Sequence, residues 1–129
     1  MGYFIQPILT DKASSETALA IQNREPLVFT RIALGSGRHR TDAGKKNDVA
    51  QVVHSLQVAQ SISTETADTI RIVARLDNSR IEREMIVNEI GVFAKRGNHE
   101  EFMYMYTWAE QGDVIPPKTS AYVYRDYDF

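Results

Sequence analysis

The alternation of apolar and polar residues in the first third of the chain predicts a helix followed by a buried strand. Residues 10–23 contain three alanines together with Glu16 and Leu19, and Thr10 or Asp11 can accept hydrogen bonds from the free N–H groups of a first helical turn. Pro26 ends this helix, because a proline disfavours helical backbone in the residue before it. In residues 27–34 both alternating sets of positions are mainly apolar, which is typical of a strand covered on both faces.

A second, shorter helix is predicted between residues 48 and 56. Asp48 and Gln51 have the spacing of a capping box. The apolar residues of this stretch recur at helical intervals, namely Val49, Val52, Val53 and Leu56. Before it, Gly35-Ser36-Gly37 ends the first strand and opens a polar loop over residues 38–48.

The second half of the chain is predicted to consist of strands joined by turns. The strands are expected over residues 69–77, 85–94, 102–108 and 120–129. Turn residues follow Asp77 and recur at Gly97-Asn98, and residues 110–117 are expected to form a loop closed by two prolines. Successive strands with turns between them favour antiparallel pairing. We therefore expect an α+β fold, a mainly antiparallel β-sheet with one or two short helices packed on it.

Length and composition narrow the class of protein without giving its function. The 129 residues suit a single domain over 1–129, and 15 basic against 17 acidic residues argue against a general nucleic-acid or membrane-surface binder. The absence of cysteine excludes disulfides, cysteine-ligated metals and thiol nucleophiles. No apolar run approaches the roughly 20 residues that a membrane-spanning helix needs. We expect no cofactor, no metal, no nucleic-acid partner and no membrane partner.

The residues that most often carry catalysis do not form a recognisable motif. His39, His54 and His99 are scattered along the chain without the spacing of zinc ligands, and surface histidines are the better interpretation. Ser36 lies between two glycines, but the pattern of a hydrolase nucleophile elbow is missing. We expect no catalytic residues and no enzymatic activity.

The loop over residues 38–48 contains four basic residues. Arg38, Arg40, Lys45 and Lys46 could contact a phosphate or a nucleic-acid backbone. The loop lacks the spacing of a phosphate-binding P-loop and the aromatic residues that stack on bases. A solvated, mobile loop is therefore the preferred interpretation.

Four aromatic residues alternate along one predicted strand, so a regular strand would place them on one face: Phe102, Tyr104, Tyr106 and Trp108. Met103, Met105 and Thr107 would then lie on the opposite face. The aromatic face is either one wall of the core, a subunit interface, or an exposed platform that stacks on sugar rings. Because the opposite face is also mainly apolar, the core is favoured.

Asn88 and Glu89 form a polar pair inside the apolar stretch 85–94. A buried carboxylate without hydrogen-bond partners is very costly, so Glu89 must have a specific partner, either backbone N–H groups in a loop or an arginine. Gly91 indicates a bulge or a close backbone contact nearby. We interpret Asn88 and Glu89 as a structural polar pair that fixes loops internally.

Several segments of the chain, in this order, resemble the phage tail-collar fibre family, the N-terminal domain of phage and prophage tail-fibre proteins. The two most specific segments are FTRIALGSG at 29–37 and VNEIGVFA at 87–94. The others are Ile8-Leu9-Thr10 before the helix, the strand ending at Asp77-Asn78, and Tyr104-Met105-Tyr106 followed by Ile115-Pro116-Pro117. The resemblance covers nearly the whole chain.

The resemblance implies a virion structural protein without catalysis. Such a domain attaches a receptor-binding fibre to the baseplate, is usually a homotrimer, and contacts other tail or baseplate proteins after synthesis in the host cytoplasm. Because no distal fibre region follows Phe129, we expect the chain to be shortened at its C-terminus or completed by a partner. The alternative is a carbohydrate-binding module that uses Tyr104, Tyr106 and Trp108.

Overall fold

The computed structural model describes residues 4–57, 60–63, 70–119 and 124–128. The elements in chain order are β1 (Ile8–Leu9), α1 (Asp11–Asn23), β2 (Leu27–Gly35), a short 3₁₀ turn (Ala43–Lys45), β3 (Val52–Gln57), β4 (Gln60–Ser63), β5 (Ile70–Asp77), β6 (Met85–Arg96), β7 (Phe102–Ile115) and β8 (Tyr124–Asp128).

The strands form two antiparallel sheets. The larger has five strands in the order β1-β7-β6-β2-β3, and the smaller has three in the order β4-β5-β8. Helix α1 packs on the larger sheet against β7 and β6. The expected α+β fold, mainly antiparallel β with a helix packed on it, is confirmed.

Helix α1 begins where the sequence predicts. The Oγ1 atom of Thr10 accepts a hydrogen bond from the N–H of Ala13 at 3.1 Å, which satisfies one of the free donors of the first turn. The same hydroxyl donates to the carbonyl of Met103 at 2.5 Å, so the cap also anchors the helix to β7. Arg24 ends the helix in the left-handed conformation, with φ 52° and ψ 43°.

The prediction of a second helix over 48–56 is wrong, because Val52–Gln57 is strand β3. The carboxylate of Asp48 accepts from the adjacent N–H of Val49 rather than capping a helix. Strand β3 pairs with β2 from Gln57 opposite Arg31 to Val52 opposite Gly35. Its β-branched valines and this ladder override the helical spacing of the apolar residues.

The predicted loop over 110–117 is also wrong over most of its length. Strand β7 continues to Ile115, and Ile115 and Val114 pair with Met85 and Ile86 of β6. The burial of Ile115 against the core favours this extension, since an apolar residue gains more from packing than from a place in a loop.

Two apolar clusters cover the two faces of the central strands. One contains Ile32, Leu34, Ile90 and Val92 from β2 and β6, and Leu76 of β5 packs into it. The other contains residues from three strands and from the segment that follows β2: Ala33, Phe93, Met103, Tyr106, Ala43 and Val49. Strand β6 and the second half of β2 are therefore buried on both faces, as their apolar sequences predict.

Gly112 lies at a place where β7 approaches β6 too closely for any side chain. A Cβ atom there would lie 2.1 Å from the carbonyl oxygen of Val87. We expect Gly112→Ala to lower the free energy of unfolding by about 1–3 kcal/mol, because the two strands would have to separate. Urea denaturation measures this change.

The matched control is Gly44→Ala, because the atom nearest to its Cβ would be the carbonyl oxygen of Leu9 at an ordinary 3.6 Å. We expect a change within about 0.5 kcal/mol for the control. Equal effects of the two substitutions would contradict this description of the β6–β7 contact.

Candidate functional site

The buried carboxylate of Glu89 is the centre of the most connected polar site in the described residues. Its side chain is 0% exposed. One oxygen, Oε1, accepts from the N–H of Ala50 at 2.7 Å and from the hydroxyl of Tyr106 at 2.6 Å. The other, Oε2, accepts from the N–H of Gly37 at 3.0 Å and from the N–H of Gln51 at 2.8 Å. A buried carboxylate needs specific hydrogen-bond partners, and these four donors are the partners of Glu89.

The four donors belong to three separate parts of the chain. Gly37 is in the turn after β2, Ala50 and Gln51 precede β3, and Tyr106 lies on β7, while Glu89 itself is on β6. Hydrogen bonds to an ionised acceptor are short and strong, and here they replace the hydration that the carboxylate loses on burial. The site therefore joins four chain segments at one anion.

Tyr106 links this site to the loop that follows β2. Its hydroxyl donates to Glu89 and accepts from the N–H of His39 at 2.7 Å. Burial, and then the hydrogen bond to the Glu89 carboxylate, raise the pKa of the Tyr106 phenol above its ordinary value, although the His39 N–H acts in the opposite direction. The phenol is therefore held in its neutral, donating form.

Asn88 contacts the same turn as Glu89 from the neighbouring position. Its Nδ2 donates to the carbonyl of Ser36 at 2.8 Å. In a regular strand adjacent side chains point to opposite faces, but the β6–β7 register shifts between Val87 and Glu89. Both polar residues can thus bind the segment that ends β2.

Two glycines leave space for the carboxylate. A Cβ on Gly35 would lie 2.3 Å from Oε2 of Glu89, and one on Gly37 would lie 2.9 Å from the Cβ of Ala50 and 3.2 Å from Oε2 of Glu89. Neither glycine has a positive φ, so the requirement is for space rather than for backbone freedom. From the sequence these glycines only mark the end of a strand, and their part in the Glu89 site is not visible there.

The first residues of the loop over 38–48 are bound to β7, while most of its later side chains are exposed, as a solvated loop predicts. The guanidinium of Arg38 donates to the carbonyls of Ala109 and Glu110, each at 2.5 Å. Arg40 pairs with the Glu110 carboxylate through two hydrogen bonds, one of them 2.9 Å from Nη2 to Oε2. The bond from Arg40 lowers the pKa of Glu110 below its ordinary value. These two arginines are therefore engaged with β7 rather than directed at a phosphate.

The four aromatic residues of β7 do not share one exposed face. A register shift between Val92 and Phe93 interrupts the alternation of β7, and Met103 packs with Tyr106 in the same cluster. Phe102 is 3% exposed and Tyr106 is 0% exposed, while Tyr104 and Trp108 are half-buried. The guanidinium of Arg40 lies 5.2 Å from the ring centroid of Trp108. The idea of a continuous aromatic platform is therefore wrong.

The three histidines lie in separate surroundings, although Ser36 and His54 line one pocket together with residues 80–86. His39 Nε2 contacts the carbonyl of Asp48 at 2.8 Å, His99 Nε2 contacts the Glu25 carboxylate at 3.0 Å, and His54 is on β3. Within the described parts of the chain, no group of three or more histidine and carboxylate side chains is arranged to hold a metal ion. In the same residues, no helix is long and apolar enough to cross a membrane.

An ionic cluster between α1 and β6 is a feature that the sequence analysis missed. Arg96 Nε lies 2.6 Å from Oε2 of Glu16, and its Nη1 also pairs with Glu25. Glu16 is on the helix and Glu25 follows it, so both carboxylates reach one buried guanidinium on the sheet. No local spacing connects these residues, because Glu16 and Arg96 are 80 positions apart.

Comparison with known proteins gives no relative, since no protein-family model, no curated protein and no solved structure matches the chain.

The stability of the fold depends on the Glu89 carboxylate. We expect Glu89→Gln to lower the free energy of unfolding by about 3 kcal/mol or more, because an amide presents its own N–H groups to the buried donors that the carboxylate satisfies. For a chain of this size that loss corresponds to a fall in Tm of roughly 10 °C. Differential scanning calorimetry measures it.

The matched control is Glu84→Gln, which removes the charge of an exposed glutamate just before β6. The control should melt within about 2 °C of the wild type, since exposed substitutions change stability little. Unchanged melting of the Glu89→Gln protein would contradict the structural role of this carboxylate.

Proposed function

We propose that this chain is a structural component of a phage-type tail, an attachment module that joins a tail fibre to the baseplate in the host-recognition apparatus. It acts without catalysis and as a homo-oligomer. The observation that carries the proposal is the contact between the two most specific segments of the family resemblance. Segments 29–37 and 87–94 belong to neighbouring strands, and the Gly37 N–H of the first donates to the Glu89 carboxylate of the second.

This contact makes the two segments parts of one packing arrangement. Gly35 and Gly37 of the first segment leave space for the side chain of Glu89 in the second, and Asn88 binds the carbonyl of Ser36. The residues that carry the resemblance thus define a packing arrangement rather than a reactive group.

The chemistry of the site also supports a mechanical role. Both oxygens of Glu89 are engaged by internal donors, and Tyr106 is held neutral between Glu89 and His39. A catalytic carboxylate needs reach to a substrate, within hydrogen-bond distance. Glu89 is 0% exposed and has no such reach.

The sugar-binding alternative requires exposed aromatic rings. Tyr106 is buried with its hydroxyl bound to Glu89, and Trp108 has a guanidinium beside its ring. No feature of the described residues therefore favours a carbohydrate-binding module over the attachment module.

Immunogold electron microscopy tests the proposal. Tail particles are released by inducing the strain that encodes this chain, and they are labelled with antibody raised against it. We expect gold at the far end of the tails, where fibres and baseplate lie. Particles from a strain in which the gene is deleted serve as the control and should carry no label.

Intact tails without label would contradict the proposal once the antibody is shown to bind the chain in unfixed lysate of the same strain. In that case the chain is present in the cell but is not part of the particle, and its role must lie elsewhere.

A further inference from the structure

A pocket of about 450 Å³, here called the 80–86 pocket, lies between β3, the start of β6 and the segment that precedes β6. Its volume falls within the roughly 300–1,000 Å³ that is usual for small-molecule sites. Two of its lining residues, Ile81 and Met85, belong to the apolar cluster around Leu34, so the pocket adjoins the core. Val53 and Ile86 line it as well and are 38% and 43% exposed. The pocket therefore leaves apolar surface in contact with water.

Hydrogen bonds fix the wall of the pocket that is formed by the segment between β5 and β6. The N–H of Ile81 donates to the carbonyl of Asn78 at 3.2 Å, and the carbonyl of Ile81 accepts from the N–H of Lys118 at 2.7 Å. The Lys118 ammonium also lies 2.8 Å from the Glu82 carboxylate. The other walls belong to strands β3 and β6. The pocket is therefore formed without a ligand, which favours binding because no wall has to be ordered on association.

The 80–86 pocket has more open hydrogen-bond donors than open acceptors. Within the described residues no hydrogen bond engages the donor side chains that line it, namely those of Ser36, His54, Arg80 and Arg83. The charge of Arg80 acts on the nearby Asp77 carboxylate, but that carboxylate accepts its hydrogen bonds from Ser79. Of the two glutamates in the lining, Glu82 is paired with Lys118, which leaves Glu84 as the open carboxylate among the described residues. This surplus of donors favours an anionic ligand.

The apolar part of the lining decides which kind of anion fits. Inorganic phosphate or sulfate would leave Val53 and Ile86 in water, whereas a ligand with an apolar body covers them. A guanidinium has the planar fork that binds a carboxylate through two parallel hydrogen bonds. An apolar amine would bring a second positive charge to the two arginines.

We propose that the 80–86 pocket binds a small carboxylate with an apolar body, of the chemical class of a medium-chain fatty acid. Arg83 pairs with the carboxylate, Ser36 and His54 supply further donors, and Val53 and Ile86 cover the chain. The site is separate from the Glu89 carboxylate. It does not depend on the proposed role in a tail, which the gold label decides independently.

Titration followed by the amide NMR signals tests the site with three probes at physiological ionic strength: octanoate, octylamine and acetate. Octylamine has a chain of the same length with the opposite charge, and acetate has the carboxylate without the chain. We expect octanoate alone to shift the amides of residues 53–54 and 80–86 to saturation.

Three results of this titration would overturn the proposal. The first is the absence of saturable shifts with octanoate. The second is an equal effect of octylamine on the same amides, which would contradict an anion site. The third is a set of octanoate shifts centred on the apolar groove between α1 and β7, where Leu9, Ile21 and Tyr104 lie.

Substitutions at exposed positions test the two halves of the pocket without removing core residues. We expect Arg83→Gln to raise the Kd for octanoate about tenfold, because the carboxylate loses a charged donor. Ile86→Ser is expected to raise it several-fold, because the chain loses part of its apolar wall.

The matched control is Arg24→Gln, which removes the same charge from an exposed arginine that follows α1 and does not line the pocket. Its Kd should stay within about twofold of the wild type, since salt screens distant exposed charges. Equal Kd values for the Arg83→Gln and Arg24→Gln proteins would overturn the assignment of the carboxylate to Arg83.

Discussion

A carboxylate that is completely removed from water must find in the protein the hydrogen bonds that it loses, and Glu89 finds them in three backbone N–H groups and one phenol. Each unsatisfied buried donor costs about 1–3 kcal/mol, and a domain of this kind is stable by only about 5–15 kcal/mol. One side chain on β6, that of Glu89, therefore fixes the positions of three other parts of the fold: the turn after β2, the start of β3, and β7.

Other features of the fold follow from this constraint. Glycine is required at 35 because the Glu89 carboxylate occupies the space of a side chain there, and at 37 because a Cβ would lie 2.9 Å from the Cβ of Ala50 and 3.2 Å from Oε2 of Glu89. The loop that begins at Gly37 passes close to β7, where Arg38 and Arg40 bind its carbonyls and Glu110. The polar bonds thus add to the apolar packing of Ala43 and Val49 in holding this segment against the sheet.

The sequence predicts much of the framework because local signals agree with the final structure there. Thr10 has the side chain of a helix cap, and the apolar stretches of β2 and β6 match strands buried on both faces. The apolar neighbours of Glu89 in the sequence also predict that its carboxylate has hydrogen-bond partners. Which donors these are depends on tertiary contacts. The identity of Tyr106 as a partner is not visible locally, because it lies 17 positions away.

The failures of prediction have a common physical cause. Register shifts near Asn88 and Phe93 change which side chains share a face, so the aromatic residues of β7 do not form the expected face. Val52 and Val53 match helical spacing but are drawn into a strand by pairing with β2. Bulges and edge pairings are set by neighbouring strands, and one strand's own sequence does not reveal them.

The central claim is that the hydrogen bonds to Glu89 make the backbone at Gly37, Ala50 and Gln51 as resistant to local opening as the core strands. Amide hydrogen exchange followed by NMR tests this residue by residue. The account predicts that the N–H groups of Gly37, Ala50 and Gln51 exchange as slowly as those in the middle of β2 and β6, although all three lie outside the strands. Exchange at the rate of exposed loop amides would contradict it.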